Sequence, residues 1–147
     1  MLFIFSSPPF YSKYVHLPDG LAVPPKIQQN PKFWPFFKDT IGALDGSHLH
    51  ATPPAHKHAA YRDHKGLLSQ NCLFACDFDM NFTYVLTGWA GSVTDARIYE
   101  AAHTRDLRIP EGKYFLADAG YPLCPGLLTP YRSVRYHLAE WGRASIR

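Results

Sequence analysis

The sequence predicts a single α/β domain, in which the order of elements around one mixed sheet is strand, strand, strand, helix, strand. Four segments of branched, aromatic and small residues predict the strands, because turn-forming Gly, Pro, Asp and Asn separate them. One stretch between the third and fourth strands has the composition of a helix. The 147 residues are 46% hydrophobic and 15% aromatic, which is enough for one buried core and excludes a disordered chain.

The individual elements follow from local composition. The first strand ends at Thr52 because two prolines follow it, and residues 55–65 are polar, as in a loop or a short helix. The second strand alternates between two faces and the third is rich in β-branched and aromatic residues, so the turn between them predicts an antiparallel hairpin. Hydroxyl residues and Asp95 suit the N-terminus of the helix. The strands are predicted at 41–51, 68–77, 82–89 and 113–118, and the helix at 96–103.

Residues 1–35 are predicted to form an extended, proline-rich lead-in with one short helix, and residues 36–147 to form the domain. Seven prolines in the lead-in are too closely spaced for a long helix or an interior strand. The apolar start has no basic residue before it, and Pro8 and Pro9 follow soon after, which excludes a secretion signal and a membrane span there. We therefore expect an intracellular protein with no membrane partner.

Two aspartates lie where a mixed sheet could bring them together. Asp45 lies inside the first predicted strand and Asp118 at the end of the fourth. If these strands are neighbours, the two carboxylates repel and raise one pKa unless a divalent cation lies between them. Magnesium prefers such oxygen ligands together with substrate phosphates, and two-metal phosphodiester cleavage uses sites of this kind.

The net charge and the cysteine count say less about the class of protein than the two aspartates do. A formal net charge of +3 without a long basic run permits a nucleic-acid partner but does not require one. Three cysteines leave at least one unpaired, so reduced thiols are expected. Five of the eight histidines lie between His48 and His64, which makes a zinc-binding domain an alternative. Cys72 and Cys76 lie on a predicted strand, however, and not in a zinc knuckle.

Four strings in the sequence carry a family resemblance. They are FKDTIGALDGSH at 37–48, YRDHKG at 61–66, GSVTDARIY at 91–99 and LADAGYP at 116–122. In this order they closely resemble the DDE superfamily endonuclease domain of PIF/Harbinger-type transposases and their domesticated nuclease relatives, over roughly residues 31–143. The resemblance implies an RNase H-like fold, whose order of elements matches the one predicted above from the residues.

The resemblance also implies an activity and its ligands. It implies hydrolysis of DNA phosphodiesters with Mg²⁺ or Mn²⁺, and it identifies Asp45 and Asp118 as the first and second catalytic, metal-binding acids. The third acid of the family is a glutamate in a downstream Glu-Arg string, and this string does not occur here. We interpret Glu140, the last carboxylate, as part of the segment leading to that helix and not as the catalytic acid.

The departures from the family pattern predict a fragment that is cut at both ends, with an RNase H-like sheet incomplete at its C-terminus. The family's helix-turn-helix region is not found in the chain, so we expect a separate DNA-binding partner protein to supply it. The expected partner is DNA and the expected location is the nucleus, with the cytoplasm as the alternative. The rival function is a catalytically inactive, transposase-derived remnant that binds DNA or protein.

Basic residues near Asp45 are the candidates for contact with DNA phosphates. Lys57, Arg62, His64 and Lys65 would position a backbone without reading its sequence, and the alternative is an ordinary charged loop. His48 follows Asp45 on the same strand and is a candidate for supporting a metal ligand or facing the substrate. We interpret Asp95 only as a carboxylate that complements the helix dipole.

Overall fold

The computed structural model describes residues 8–132, which contain one five-stranded mixed sheet and four helices. The strands are β1 (Thr40–His50), β2 (Ser69–Cys76), β3 (Phe82–Ala90), β4 (Tyr114–Leu116) and β5 (Leu127–Leu128). The helices are α1 (Pro8–Tyr14), α2 (Pro25–Gln28), α3 (His58–Tyr61) and α4 (Asp95–Arg105), and a 3-10 turn at Ala55–Lys57 leads into α3.

The strands lie in the order β3-β2-β1-β4-β5. The β1–β2 and β2–β3 pairs are antiparallel, whereas β4 pairs in parallel with both β1 and β5. The α4 crossover joins the antiparallel half of the sheet to the parallel half, since it connects β3 to β4. The predicted mixed sheet is confirmed, and its topology is consistent with an RNase H-like fold.

The core lies between the sheet and α4. Leu73 and Phe115 have no exposed surface, and Ile98 and Ala102 present one side of α4 to them. Residues four apart in a helix lie on the same face, so these two positions form the apolar stripe that packs on the sheet. Burying a side chain such as Leu73 contributes about 1.5–3 kcal/mol. This packing fixes the N-terminus of α4 against β1 and β2.

The N-terminal segment has more helix than we predicted. The lead-in was expected to hold one short helix, but both α1 and α2 form within the described part of it. Each begins at a proline, which is tolerated in the first turn because the N–H groups there have no partner inside the helix. Ile27 of α2 is buried, and Lys26 donates to the carbonyl oxygen of Phe78 at 2.6 Å. The lead-in is therefore attached to the β2–β3 hairpin.

Four smaller features of the fold can be compared with the sequence predictions. The two-residue strand β5 was not predicted. Thr94 is the N-cap of α4, as its hydroxyl predicts, but its side chain makes no capping hydrogen bond. Cys72, Cys76 and Cys124 are free thiols. Within residues 8–132, every helix is too short or too polar to span a bilayer.

Candidate active site

The register of β1 and β4 places the two predicted acids beside each other. Ala43 pairs with Leu116 in the parallel ladder, and Asp45 and Asp118 each lie two residues further along the chain. Neighbouring strands are about 4.8 Å apart, so equivalent positions on them bring their side chains close together. The condition under which the two carboxylates would meet, that the first and fourth predicted strands are neighbours, is fulfilled in the sheet.

Backbone N–H groups hold one oxygen of each carboxylate. The Gly46 N–H donates to Asp45 Oδ1 at 2.8 Å, and the Gly120 N–H donates to Asp118 Oδ1 at the same distance. Both aspartates line an open cavity of about 570 Å³ at this end of the sheet. The cavity is large enough for a hydrated cation and a phosphate group.

A third carboxylate, which the sequence analysis missed, lines the same cavity. Asp95 lies at the start of α4, and Asn71 on β2 donates from Nδ2 to Asp95 Oδ1 at 2.7 Å and to the Val93 carbonyl oxygen at 2.9 Å. Asn71 is completely buried. We interpreted Asp95 only as a helix-terminal acid, because a favourable helix dipole is a sufficient local explanation. The signals that could have identified it were the string at 91–99 and the buried polar position on β2.

The charges of Asp95 and Asp118 act on the carboxyl group of Asp45. Partial desolvation is the largest cause that raises the pKa of Asp45, and the negative charges of Asp118 and Asp95 raise it further. The hydrogen bond from Gly46 acts in the opposite direction but does not cancel the rise. Burial first, and then the charges of Asp95, Asp45 and Asp118, raise the pKa of Tyr121, whose buried hydroxyl has no hydrogen-bond partner among the described residues. The three carboxylates therefore give the cavity an acidic lining.

This arrangement fits a hard divalent cation. Carboxylate oxygens are the ligands that Mg²⁺ and Mn²⁺ prefer, and a cation would relieve the repulsion that raises the pKa of Asp45. Within residues 8–132, however, no three His, Cys, Asp or Glu side chains converge as a ready-made metal site. A cation held by two carboxylates and several waters agrees with both observations, because Mg²⁺ commonly keeps part of its hydration shell.

His48 lies on the rim of this cavity and belongs to a hydrogen-bonded chain. Its Nδ1 lies 3.0 Å from Ser69 Oγ, and the Ser69 hydroxyl donates to Asp63 Oδ2 at 3.1 Å. Asp63 is buried, and its Oδ1 accepts the N–H groups of Lys65 and Leu67, each at 2.9 Å. Burial alone would raise the pKa of Asp63, but these hydrogen bonds outweigh it and the pKa is lowered.

Two of the four candidate phosphate-contacting residues line a cavity at the site, and the other two do not. His64 lines the carboxylate cavity, and with Lys65 it also lines a second cavity of about 240 Å³ beside His48. Arg62 is exposed, and its Nη1 donates to the Gly66 carbonyl oxygen at 2.7 Å. Lys57 lies on the exposed 3-10 turn and lines neither cavity. Only His64 and Lys65 are therefore next to the candidate site.

The histidine cluster is partly dispersed in the fold. The rings of His48 and His64 lie 5.8 Å apart, and His50 lines the second cavity with them. His58 instead contacts the Pro53 carbonyl oxygen at 3.1 Å. The part of the chain that the structure describes contains no zinc-like cluster of three or more ligands. Glu140 lies outside the described residues.

Comparison with known proteins gives the family. The model of the family described as DDE superfamily endonuclease matches residues 44–143, which is more than half of the chain. The chain belongs to this family. The match begins at β1 and includes Asp45, Asp95 and Asp118 of the DDE endonuclease domain. No solved structure matches the chain.

Several curated proteins are similar to this DDE endonuclease chain. HARBI1 of Rattus norvegicus, whose name describes it as a candidate nuclease, is 28% identical over 122 residues, which are 81% of this chain and 35% of that protein. The protein of the same name from Homo sapiens is 26% identical over 115 residues, 72% of this chain and 33% of that protein. Protein ALP1-like of Arabidopsis thaliana is 30% identical over 112 residues, 62% of this chain and 27% of that protein. The chain spans about a third of the length of these relatives.

Proposed function

We propose that the chain forms part of a metal-dependent DNA endonuclease, in which Asp45 and Asp118 bind Mg²⁺ or Mn²⁺. The observation that carries this proposal is the placement of each aspartate two residues beyond the last pair, Ala43 with Leu116, of the parallel β1–β4 ladder. A divalent ion supplies charge neutralisation and activation of a phosphodiester. The raised pKa of Asp45 supports the proposal, because a cation would favour the ionised form of this carboxyl.

The residues of the chain would divide the work between holding the ion and holding the substrate. One oxygen of Asp45 and one of Asp118 accept backbone N–H groups, which fix the carboxylates, and we assign the second oxygen of each to the ion. Asp95 adds negative charge beside them, held by Asn71. The proposed substrate is DNA, because similar proteins carry the name nuclease and the basic residues beside the carboxylates suit a phosphate backbone.

His64 and Lys65 are the proposed phosphate contacts nearest to the carboxylates. Arg62 and Lys57, which lie further out, would contact the backbone only beyond the scissile phosphate. Such contacts position DNA without selecting a sequence. A nuclear location and a separate partner that carries a helix-turn-helix are proposals of the same kind, since they follow from DNA as the substrate.

Calorimetric titration of the full 147-residue chain with Mn²⁺ tests the metal site. We expect Asp45→Asn and Asp118→Asn each to weaken binding at least tenfold, because each removes a charged ligand from a site with few. Asp79→Asn is the matched control, since it makes the same change at an exposed hairpin turn where Asp79 pairs with Lys26. Unchanged Mn²⁺ affinity in both site variants would overturn the proposal.

Nicking of supercoiled plasmid DNA in Mg²⁺ tests the activity. Nicking by the wild type that disappears in Asp45→Asn and persists in Asp79→Asn is the expected result. The rival function, an inactive remnant that binds DNA or protein, predicts that the wild type binds Mn²⁺ or DNA without nicking. Activity in the Asp45→Asn variant would show that a different site is responsible.

A further inference from the structure

His48, Ser69 and Asp63 form a hydrogen-bonded chain, and the donors and acceptors fix the direction in which each hydrogen bond is donated. Asp63 is a carboxylate at neutral pH, since its pKa is lowered, and a carboxylate only accepts hydrogen bonds. The Ser69 hydroxyl has one proton, and it donates this proton to Asp63 Oδ2. Ser69 Oγ can therefore only accept from His48, so Nδ1 of His48 carries the hydrogen.

We infer that Asp63 and Ser69 are positioning residues that hold neutral His48 as the Nδ1–H tautomer and leave a lone pair on Nε2 for a water molecule in the carboxylate cavity. His48 lines both cavities, and its Nδ1 is used by Ser69. Nε2 is thus the ring nitrogen that remains for the cavity containing Asp45 and Asp118. A water that attacks a phosphodiester must lose a proton, and an imidazole lone pair accepts one.

The residues around His48, Ser69 and Asp63 hold these three side chains in place. The side chain of Asp63 is only 4% exposed and that of His48 is 28% exposed. Gly91 packs so closely on Ser69 that a β-carbon at position 91 would overlap with Ser69 Oγ, which leaves the hydroxyl little freedom to move. His64 packs edge-on against the ring of His48, and His50 and Lys65 share the smaller cavity with it.

Substituting asparagine for Asp63 should reverse the direction in which the hydrogen bonds between positions 63, 69 and 48 are donated. Oδ1 of Asp63 accepts two backbone N–H groups, so the amide oxygen of Asn must occupy this position. The amide NH₂ group then faces Ser69 and donates to its oxygen. The Ser69 hydroxyl proton is released to donate to Nδ1 of His48, and the imidazole changes to the Nε2–H tautomer. Asp63→Asn therefore keeps every hydrogen bond but moves the lone pair of His48 away from the cavity.

The test is the nitrogen-15 chemical shifts of the His48 ring, recorded on the full chain at about pH 8, where histidine is mostly neutral. We expect Nδ1–H in the wild type and in the control Asp79→Asn, and Nε2–H in Asp63→Asn. Ser69→Ala removes the link without placing a new donor beside it, so it should give a mixture of tautomers even if Asp63→Asn does not fold. An Nε2–H tautomer in the wild type, or an unchanged tautomer in both variants, would overturn the inference.

The role assigned to His48 rests on the proposed function, and a second measurement separates the two. We expect His48→Ala and Asp63→Asn to slow plasmid nicking by about 10²-fold while Mn²⁺ affinity stays within twofold of the wild type. Equal nicking rates would overturn the assignment to His48 and leave the Asp45 site standing. If Asp45→Asn and Asp118→Asn both leave Mn²⁺ binding unchanged, the proposed function fails, whereas the tautomer result is unaffected because it needs neither metal nor DNA.

Discussion

The carboxylate of Asp95 lies directly against the α-carbon of Gly46. A β-carbon at position 46 would overlap with Asp95 Oδ1 and lie 2.5 Å from its Cγ. Since Asn71 donates a hydrogen bond to this same oxygen, Asp95 Oδ1, the carboxylate cannot move away without losing that bond. Position 46 is thus restricted to glycine by the approach of α4 to β1, and the same approach brings the charge of Asp95 next to Asp45.

Gly46→Ala should therefore destabilise the protein by about 1–3 kcal/mol, the range for overpacking a fixed contact. In an Asp95→Ala background the overlapping atoms are gone, and the same substitution should cost much less. Urea denaturation of the two single variants and the double variant gives the coupling between the positions. An equal cost of Gly46→Ala in both backgrounds would show that the contact with Asp95 is not what restricts position 46.

Asp45→Asn should stabilise the metal-free protein at neutral pH. The pKa of Asp45 is raised in the folded state, mainly by desolvation and then by Asp118 and Asp95. Because the folded pKa is raised, the contribution of Asp45 to stability is fully present below its unfolded pKa, about 3.9. It is lost as the pH rises through the folded pKa. The gain in melting temperature should be small, about 1–2 °C, because an exposed carboxylate is screened by water.

The pH dependence and the metal dependence of this variant are checked by thermal denaturation. At pH 7 the Asn variant should melt higher than the wild type, and below about pH 4 the two should be equal. In excess Mn²⁺ the order should reverse, because only the wild type gains stability from binding. A variant that is less stable than the metal-free wild type at pH 7 would contradict the repulsion inferred among the carboxylates.

The main strands and the neighbouring positions of Asp45 and Asp118 could be predicted because their signals are local. Period-two alternation defines a strand from its own residues, and turn residues define the hairpin. The approach of Asp45 to Asp118 followed from the condition that the first and fourth strands are neighbours, whereas the parallel direction of β1 and β4 is known only from the structure. The resemblance to the DDE superfamily then implied a catalytic, metal-binding role for the same two aspartates.

The contacts of Asp95 and the His48–Ser69–Asp63 chain could not be predicted in this way. Asp95 has a sufficient local explanation at a helix N-terminus, and only the packing of α4 on the sheet brings it to Gly46 and Asn71. Strand β5 is two residues long, so no periodicity could indicate it. These features depend on tertiary packing, which cannot be inferred from the propensities and spacing of the residues.

Two buried tyrosines should lose different amounts of stability when the hydroxyl is removed. The Tyr84 hydroxyl donates to Asp106, so Tyr84→Phe should cost about 1.5–3 kcal/mol at pH 7. The Tyr121 hydroxyl has no partner among the described residues, so Tyr121→Phe should change the free energy of unfolding by less than about 0.5 kcal/mol. Urea midpoints at pH 7 measure both, and equal losses would contradict the assigned hydrogen bonding.

The same two tyrosines should make the protein sensitive to alkali. Burial raises the pKa of both, with the hydrogen bond to Asp106 adding to the rise at Tyr84 and the three carboxylates adding to it at Tyr121. The two tyrosines contribute fully to the free energy of unfolding below the unfolded pKa of about 10, and this contribution is lost as the pH rises above it. Unfolding curves from pH 9 to about pH 11 should fall more gently in each Phe variant than in the wild type.

Asn71 offers the sharpest test of how the negative cavity is built. Asn71→Asp removes both donated hydrogen bonds and places a buried carboxyl against Asp95 and the Val93 carbonyl oxygen. Asn71→Leu removes the same bonds without adding a charge. At pH 7 we expect the Asp variant to be the less stable of the two by at least about 2 kcal/mol, because an unpaired buried charge costs more than a lost hydrogen bond.

The difference between the two Asn71 variants should depend on pH in a defined direction. Like charge and burial raise the folded pKa of the new carboxyl, so its stability is present at low pH and is lost as the pH rises. Denaturation between pH 4 and pH 8 should therefore show the Asp and Leu variants converging at the acidic end and separating towards neutrality. If they remain equally stable at pH 7, then the Asn71 amide does not face a negatively charged Asp95, and the third carboxylate is not part of the cavity.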